Sequence, residues 1–171
     1  MIAMVLVLIT YPVSAGSDIS SEYKVKAAIL VNLAKFTEWP RGILADSAPL
    51  TICLVGEPIM AALLTEVSGK TIYNHEIKVL ALIAAADHGF GSCQVLFMGL
   101  PASAQAETLL NKIMDRPILT VSDIPGFARQ GGMIELVRKD DHLGFDINLG
   151  KARKAGLMLR AQLLALAKII E

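Results

Sequence analysis

Two aspartates, two cysteines and one tryptophan are the residues whose type and position could carry chemistry in this 171-residue chain. Asp123 follows Pro117 to Val121, an apolar run that reads as a parallel strand, and open α/β sheets bind ligands beyond the carboxyl ends of such strands. Asp146 lies on a later strand, beside Asn148. A pair of carboxylates can divide general acid and general base work. Without a nucleophile, a metal-ligand set or a further base, however, these two define no reaction class. Asp140-Asp141 reads as a hairpin turn. Asp87-His88 has the makings of a metal or acid–base pair but sits in a stretch that reads as a solvated loop, and His75 and His142 also fall in predicted turns. No Gly-x-Ser-x-Gly elbow occurs. Gly56-Glu57-Pro58 follows a strand but lacks the spaced glycines and the lysine of a phosphate loop. The expectation is a protein that acts by binding, with no catalytic residues, no cofactor and no metal.

Cys53 and Cys93 are the only cysteines. In an oxidising compartment an even pair reads as a disulfide, here closing a loop worth about 4 kcal/mol in the chain-entropy view. The alternative is two separate buried thiols. Neither residue has a histidine or further cysteine at metal-ligand spacing. The single tryptophan falls in Lys35-Phe36-Thr37-Glu38-Trp39-Pro40. Phe36 reads as core, whereas Trp39 reads equally as core or as a binding anchor. Lys151, Arg153, Lys154 and Arg160 open what reads as the last helix, either as a surface for an acidic partner or as a solvated face.

These residues need elements to hold them. Met1 to Ile9 is apolar, and Pro12 precedes Val13-Ser14-Ala15, the pattern of a secretory signal cut after Ala15, although no Lys or Arg precedes the apolar run. It is too short to span a bilayer as a helix. Residues 16–171 are expected to form one domain. A helix is predicted from Ser20 or Ser21 to Trp39, stopped by Pro40. Strands are predicted over 50–55, 94–98 and 117–121, with a strand pair, or one strand broken at Asn74-His75, over 69–72 and 76–80 and a hairpin over 133–138 and 143–147. Helices are predicted from Pro58 to Val67, over 102–114 and, as a long apolar final helix, over 149–169, with a helical turn at Ile83 to Ala86. Strands alternating with helices imply a three-layer α/β sandwich, its sheet mixed but mostly parallel, with helices on both faces.

At 54% hydrophobic and 19% charged, the chain has ample material for a core. Sixteen basic residues balance sixteen acidic ones, so no net field favours nucleic acid. The apolar final helix permits a homodimer.

Three stretches carry a family resemblance. Tyr23-Lys24-Val25-Lys26-Ala27-Ala28 with Asn32 to Pro40 resembles the opening helix of YfiR-type periplasmic proteins. Pro117 to Phe127 with Gly131-Gly132-Met133-Ile134 resembles their central motif, and Phe145 to Leu149 with Ala152-Arg153 and Gln162-Leu163-Leu164 their ending. Cys53 and Cys93 fall where such proteins carry cysteines, while Glu135 replaces a frequent Asn and Gly144 a frequent basic residue. The resemblance implies a periplasmic regulator that represses or modulates an inner-membrane signalling protein, a diguanylate cyclase or a sensor kinase, and through it cyclic-di-GMP output and biofilm formation. The partner contact is expected at Phe36 and Trp39 and along the loop containing Ser122, Asp123, Ile124, Phe127, Gly131 and Gly132, with the cysteine pair holding the frame. The alternative is a periplasmic small-ligand or peptide-binding module of an envelope transport system, using the crevice near Asp123.

Overall fold

A computed structural model describes residues 16–82, 89–139 and 142–170. The predicted signal segment, the turn at Ile83 to Ala86, Asp87-His88 and Asp140-Asp141 lie outside the described residues. The chain runs α1 (Gly16–Lys35), β1 (Thr37–Glu38), β2 (Leu50–Val55), α2 (Pro58–Thr65), β3 (Thr71–Ile72), β4 (His75–Leu82), β5 (Val95–Met98), α3 (Ser103–Lys112), β6 (Leu119–Ser122), β7 (Ile134–Lys139), β8 (His142–Asn148), α4 (Leu149–Lys154), β9 (Met158–Leu159), α5 (Ala161–Leu164) and β10 (Lys168–Ile170).

An eight-stranded sheet has the order β10-β8-β7-β6-β5-β2-β4-β3. Its middle strands, β4, β2, β5, β6 and β7, are parallel. The margins are mixed: β3 is antiparallel to β4, β8 is antiparallel to β7, and β10 pairs parallel with β8. All residues of β2, β5 and β6 are buried, as strands covered on both faces must be. Alternation along them divides the interior in two. Leu50, Ile52, Leu54, Val95, Phe97, Leu119 and Val121 face the α1–α2 layer. Cys53, Val55, Leu96 and Met98 face α3, with Ala106, Leu109 and Ile113. The fold is therefore the expected three-layer sandwich. Cys53 and Cys93 are bridged on the α3 side, Cα to Cα 5.8 Å, tying β2 to the turn that enters β5.

Two expectations about helices are corrected. The helix expected over 149–169 does not exist. α4 ends at Lys154 because Gly156 takes a left-handed backbone (φ 78°). Leu157 N–H then reaches the Ala152 carbonyl and Gly156 N–H the Arg153 carbonyl, both at 2.9 Å, the hydrogen bonds of a glycine C-cap. A Cβ at Gly156 would come within 2.9 Å of Pro40. The apolar residues beyond it serve a strand, a short helix and a sheet edge; Leu157, Leu159 and Leu163 enter the core. Their abundance thus gives no separate argument for a homodimer. Likewise α1 begins at Gly16 and stops at Lys35, short of Trp39. Thr37 Oγ1 donates to the Leu33 carbonyl at 2.8 Å, and Thr37-Glu38 pairs antiparallel with Met158-Leu159. Shortening α4 also changes the meaning of its charges: Lys151, Arg153 and Lys154 occupy its last turn, where cations favour the helix dipole.

Candidate functional site

Phe36 and Trp39 leave the C-terminal end of α1 half-buried, packed against the larger core. Trp39 lines an open cleft of about 220 Å³ with Leu50, Ile72, Tyr73, His75 and Arg160. Its indole Nε1 is buried and has no hydrogen-bond partner, a costly state for an N–H group. Across the cleft, Arg160 donates through Nε to Glu38 Oε1 at 2.9 Å and through Nη1 to the Tyr73 hydroxyl at 2.7 Å. It also stacks over the Tyr73 ring, 5.2 Å from its centroid. Tyr73 occupies the two-residue turn between β3 and β4 with φ 52°, an unfavourable backbone for a bulky side chain. Its hydroxyl donates to the Lys35 carbonyl at 3.2 Å, which with Arg160 holds it there.

The 122–132 loop is built inward. Ser122 is fully buried; its hydroxyl donates to the Met98 carbonyl at 2.6 Å and accepts from Ile124 N–H at 2.9 Å. Ile124 and Phe127 are core residues. Gly132 is buried too, and a Cβ there would enter the Phe127 ring, so only glycine lets that ring lie flat on the backbone. Glu135 accepts from Gly126 N–H at 2.8 Å and Ala128 N–H at 3.3 Å, and Asn148 Nδ2 donates to the Ala128 carbonyl at 3.0 Å. Of the loop residues singled out in the sequence, Asp123 and Gly131 are partly open to solvent; Pro125, Arg129 and Gln130 are the exposed ones.

Asp123 turns toward α1. Its Oδ2 accepts from Lys26 Nζ at 2.7 Å, while Oδ1 is buried without a partner. Lys26 also pairs with Glu22 at 2.9 Å, and Arg138 closes the outer side of Glu22 at 2.7 Å. Glu57, at the β2–α2 turn, completes the group. Burial, then the Asp123 charge, push its carboxyl above the ordinary value, while Tyr23 and Lys26 pull the other way. For Lys26, burial works to lower its value, but the hydrogen bonds to Asp123 and Glu22 prevail and raise it. Asp146 belongs elsewhere. It lies on β8 opposite Glu135, on the far side of the sheet from α1, with its Oδ1 3.8 Å from Lys139 Nζ. Asp123 and Asp146 therefore do not form one site.

The two candidate contact regions are likewise separate. Lys26 lies near the middle of α1 and Phe36 just past its C-terminal end, ten residues and about 15 Å of helical rise apart, so Trp39 and the Asp123 loop are separate. Sequence reasoning missed Lys26, Glu57, Glu135 and Tyr73. A signal existed for Lys26, which shares the helical stripe of Leu30 and Leu33 and is 8% exposed. Among the described residues, no group of three or more His, Cys, Asp or Glu could hold a metal, and no helix is long and apolar enough to cross a membrane.

Comparison with known proteins adds two findings. A family model described as YfiR/HmsC-like matches residues 23–168. The crystal structure of a conserved domain protein from Vibrio cholerae O1 biovar El Tor superposes with a TM-score of 0.60 at 11% identity, covering 87% of this chain and 60% of that one. The chain thus spans about three fifths of that protein's length, and the likeness is one of fold. No curated protein matches the chain.

Proposed function

The chain belongs to the YfiR/HmsC-like family, and on that premise we propose that it is a periplasmic regulator that binds an inner-membrane signalling protein and acts without catalysis. The partner is a diguanylate cyclase or a sensor kinase, which the bound chain holds in its less active state. A regulator of this kind works by binding one state of its partner better than the other by a few kcal/mol. The observation that carries the choice of surface is Trp39: a half-buried aromatic beside an open cleft, its N–H unpaired and its neighbour Tyr73 held in a strained turn. Aromatic groups of this sort dominate the energetics of protein contacts. Of the 122–132 loop, the solvent-facing Pro125, Arg129 and Gln130 would offer a second, smaller contact. The alternative small-ligand crevice at Asp123 has less support, since Lys26 already occupies the carboxylate.

Crosslinking in the native host, followed by purification from membranes, tests the reading. The expected result is recovery of one membrane cyclase or kinase, with Trp39→Ala weakening capture on the order of thirtyfold. Capture that is absent, or indifferent to Trp39, counts against it.

A further inference from the structure

Helix α1 packs on the sheet, and its middle is fastened by charge. From α1 come Glu22, Tyr23 and Lys26; from the β2–α2 turn, Glu57; from the end of β6, Asp123; from β7, Arg138. Glu57 is 5% exposed. It occupies the N-cap position of α2, yet its carboxyl makes no cap hydrogen bond and turns into the cluster instead. The room for it exists because residue 99 is glycine, where a Cβ would fall on the Glu57 carboxyl. Inside, the Lys26 ammonium pairs with two carboxyls, Glu22 and Asp123, and acts on a third, Glu57, by charge alone, while Arg138 reaches only the outermost, Glu22. Buried Asp123 Oδ1 is left with no donor. The cluster thus holds more negative charge than its cations neutralise, in a place where unpaired charge is expensive.

We propose that Glu22, Tyr23, Lys26, Glu57 and Asp123 form a proton-responsive latch that fastens α1 over the carboxyl edge of the sheet, tight while Glu57 holds its proton and loosened as it ionises. The sign follows from linkage. Burial first, and Asp123 second, raise Glu57 above 4.5, so the folded state gives up this proton less readily than the unfolded chain, and stability falls as pH rises through the folded value. Glu22 runs the other way. The Lys26 hydrogen bond, its largest influence, lowers it, and the stability it contributes is lost only as pH falls below 4.5. Lys26 is raised above 10.5, so its contribution persists up to alkaline pH. Between those limits Glu57 alone among these three shifted groups sets the slope. The latch stands on the fold alone. Its consequence for a partner, a proton input along the helix that leads into Phe36 and Trp39, rests on the regulatory reading above.

The test uses the purified mature protein without any partner. Carboxyl NMR should show Glu57 titrating above 4.5. As pH rises through the Glu57 midpoint found by that titration, amide exchange in α1, corrected for intrinsic rate, should quicken with α3 unchanged, and Tm should fall on the order of 3 °C. Glu57→Gln should flatten both dependences. A Glu57 midpoint at or below 4.5, or a Gln variant that keeps the parent's slope, overturns the proposal; should that variant fail to fold, the wild-type titration still decides.

Discussion

The middle and the C-terminal end of α1 are held by opposite means. Along the middle, one buried ammonium pairs with two carboxyls and acts on a third by charge, and side chains from four segments of the chain meet there. At the C-terminal end, the helix gives way to Thr37-Glu38 and to Phe36 and Trp39, packed on one side and open on the other. Burial makes the first region sensitive to the loss of a single charge. Exposure makes the second cheap to alter. The lesson is that one helix can be held by buried charge along its middle and by half-open packing where it ends.

The sharpest way to break this contrast is Lys26→Met. Asp123 would then be left buried with no cation, and denaturant unfolding at neutral pH should show a loss of about 3 kcal/mol or more. The loss should shrink on acidification, as the carboxyls take up protons. A loss below about 1 kcal/mol would mean that the ammonium does not fasten the helix. Arg160→Ala probes the C-terminal end. Arg160 and Glu38 are both more than one third exposed, so the cost should be under about 1 kcal/mol, falling further in salt. Trp39→Phe should change least in stability, within about 0.5 kcal/mol, because the N–H it removes has no partner to lose. Crosslinking to a membrane partner should nevertheless weaken, and a variant with intact capture would move the contact surface away from the indole.

Much of the architecture was legible in order along the chain. The interior strands announced themselves as unbroken apolar runs, since β2, β5 and β6 are covered on both faces. Pro58 marked the start of α2, and the cysteine pair is bridged as composition suggested. The final helix was misread because apolar richness was given more weight than one glycine. Gly156 sits where a C-cap belongs, and the signal was local and available. The site was less legible. Ser122, Ile124, Phe127 and Gly132 form a conspicuous motif, but their spacing serves a buried crossover, with Gly132 yielding space to Phe127.

The sequence by itself determined the layers, the strand runs and the frame closed by Cys53 and Cys93, because hydrophobic periodicity and turn residues are properties of neighbours along the chain. Only the tertiary structure decided that Lys26 meets Asp123, ninety-seven positions apart, that Glu57 turns away from its own helix, and that Arg160 braces Tyr73. Those pairings depend on which strand ends and helix faces the topology brings together. Charge acts through space, and separation along the chain carries no record of it.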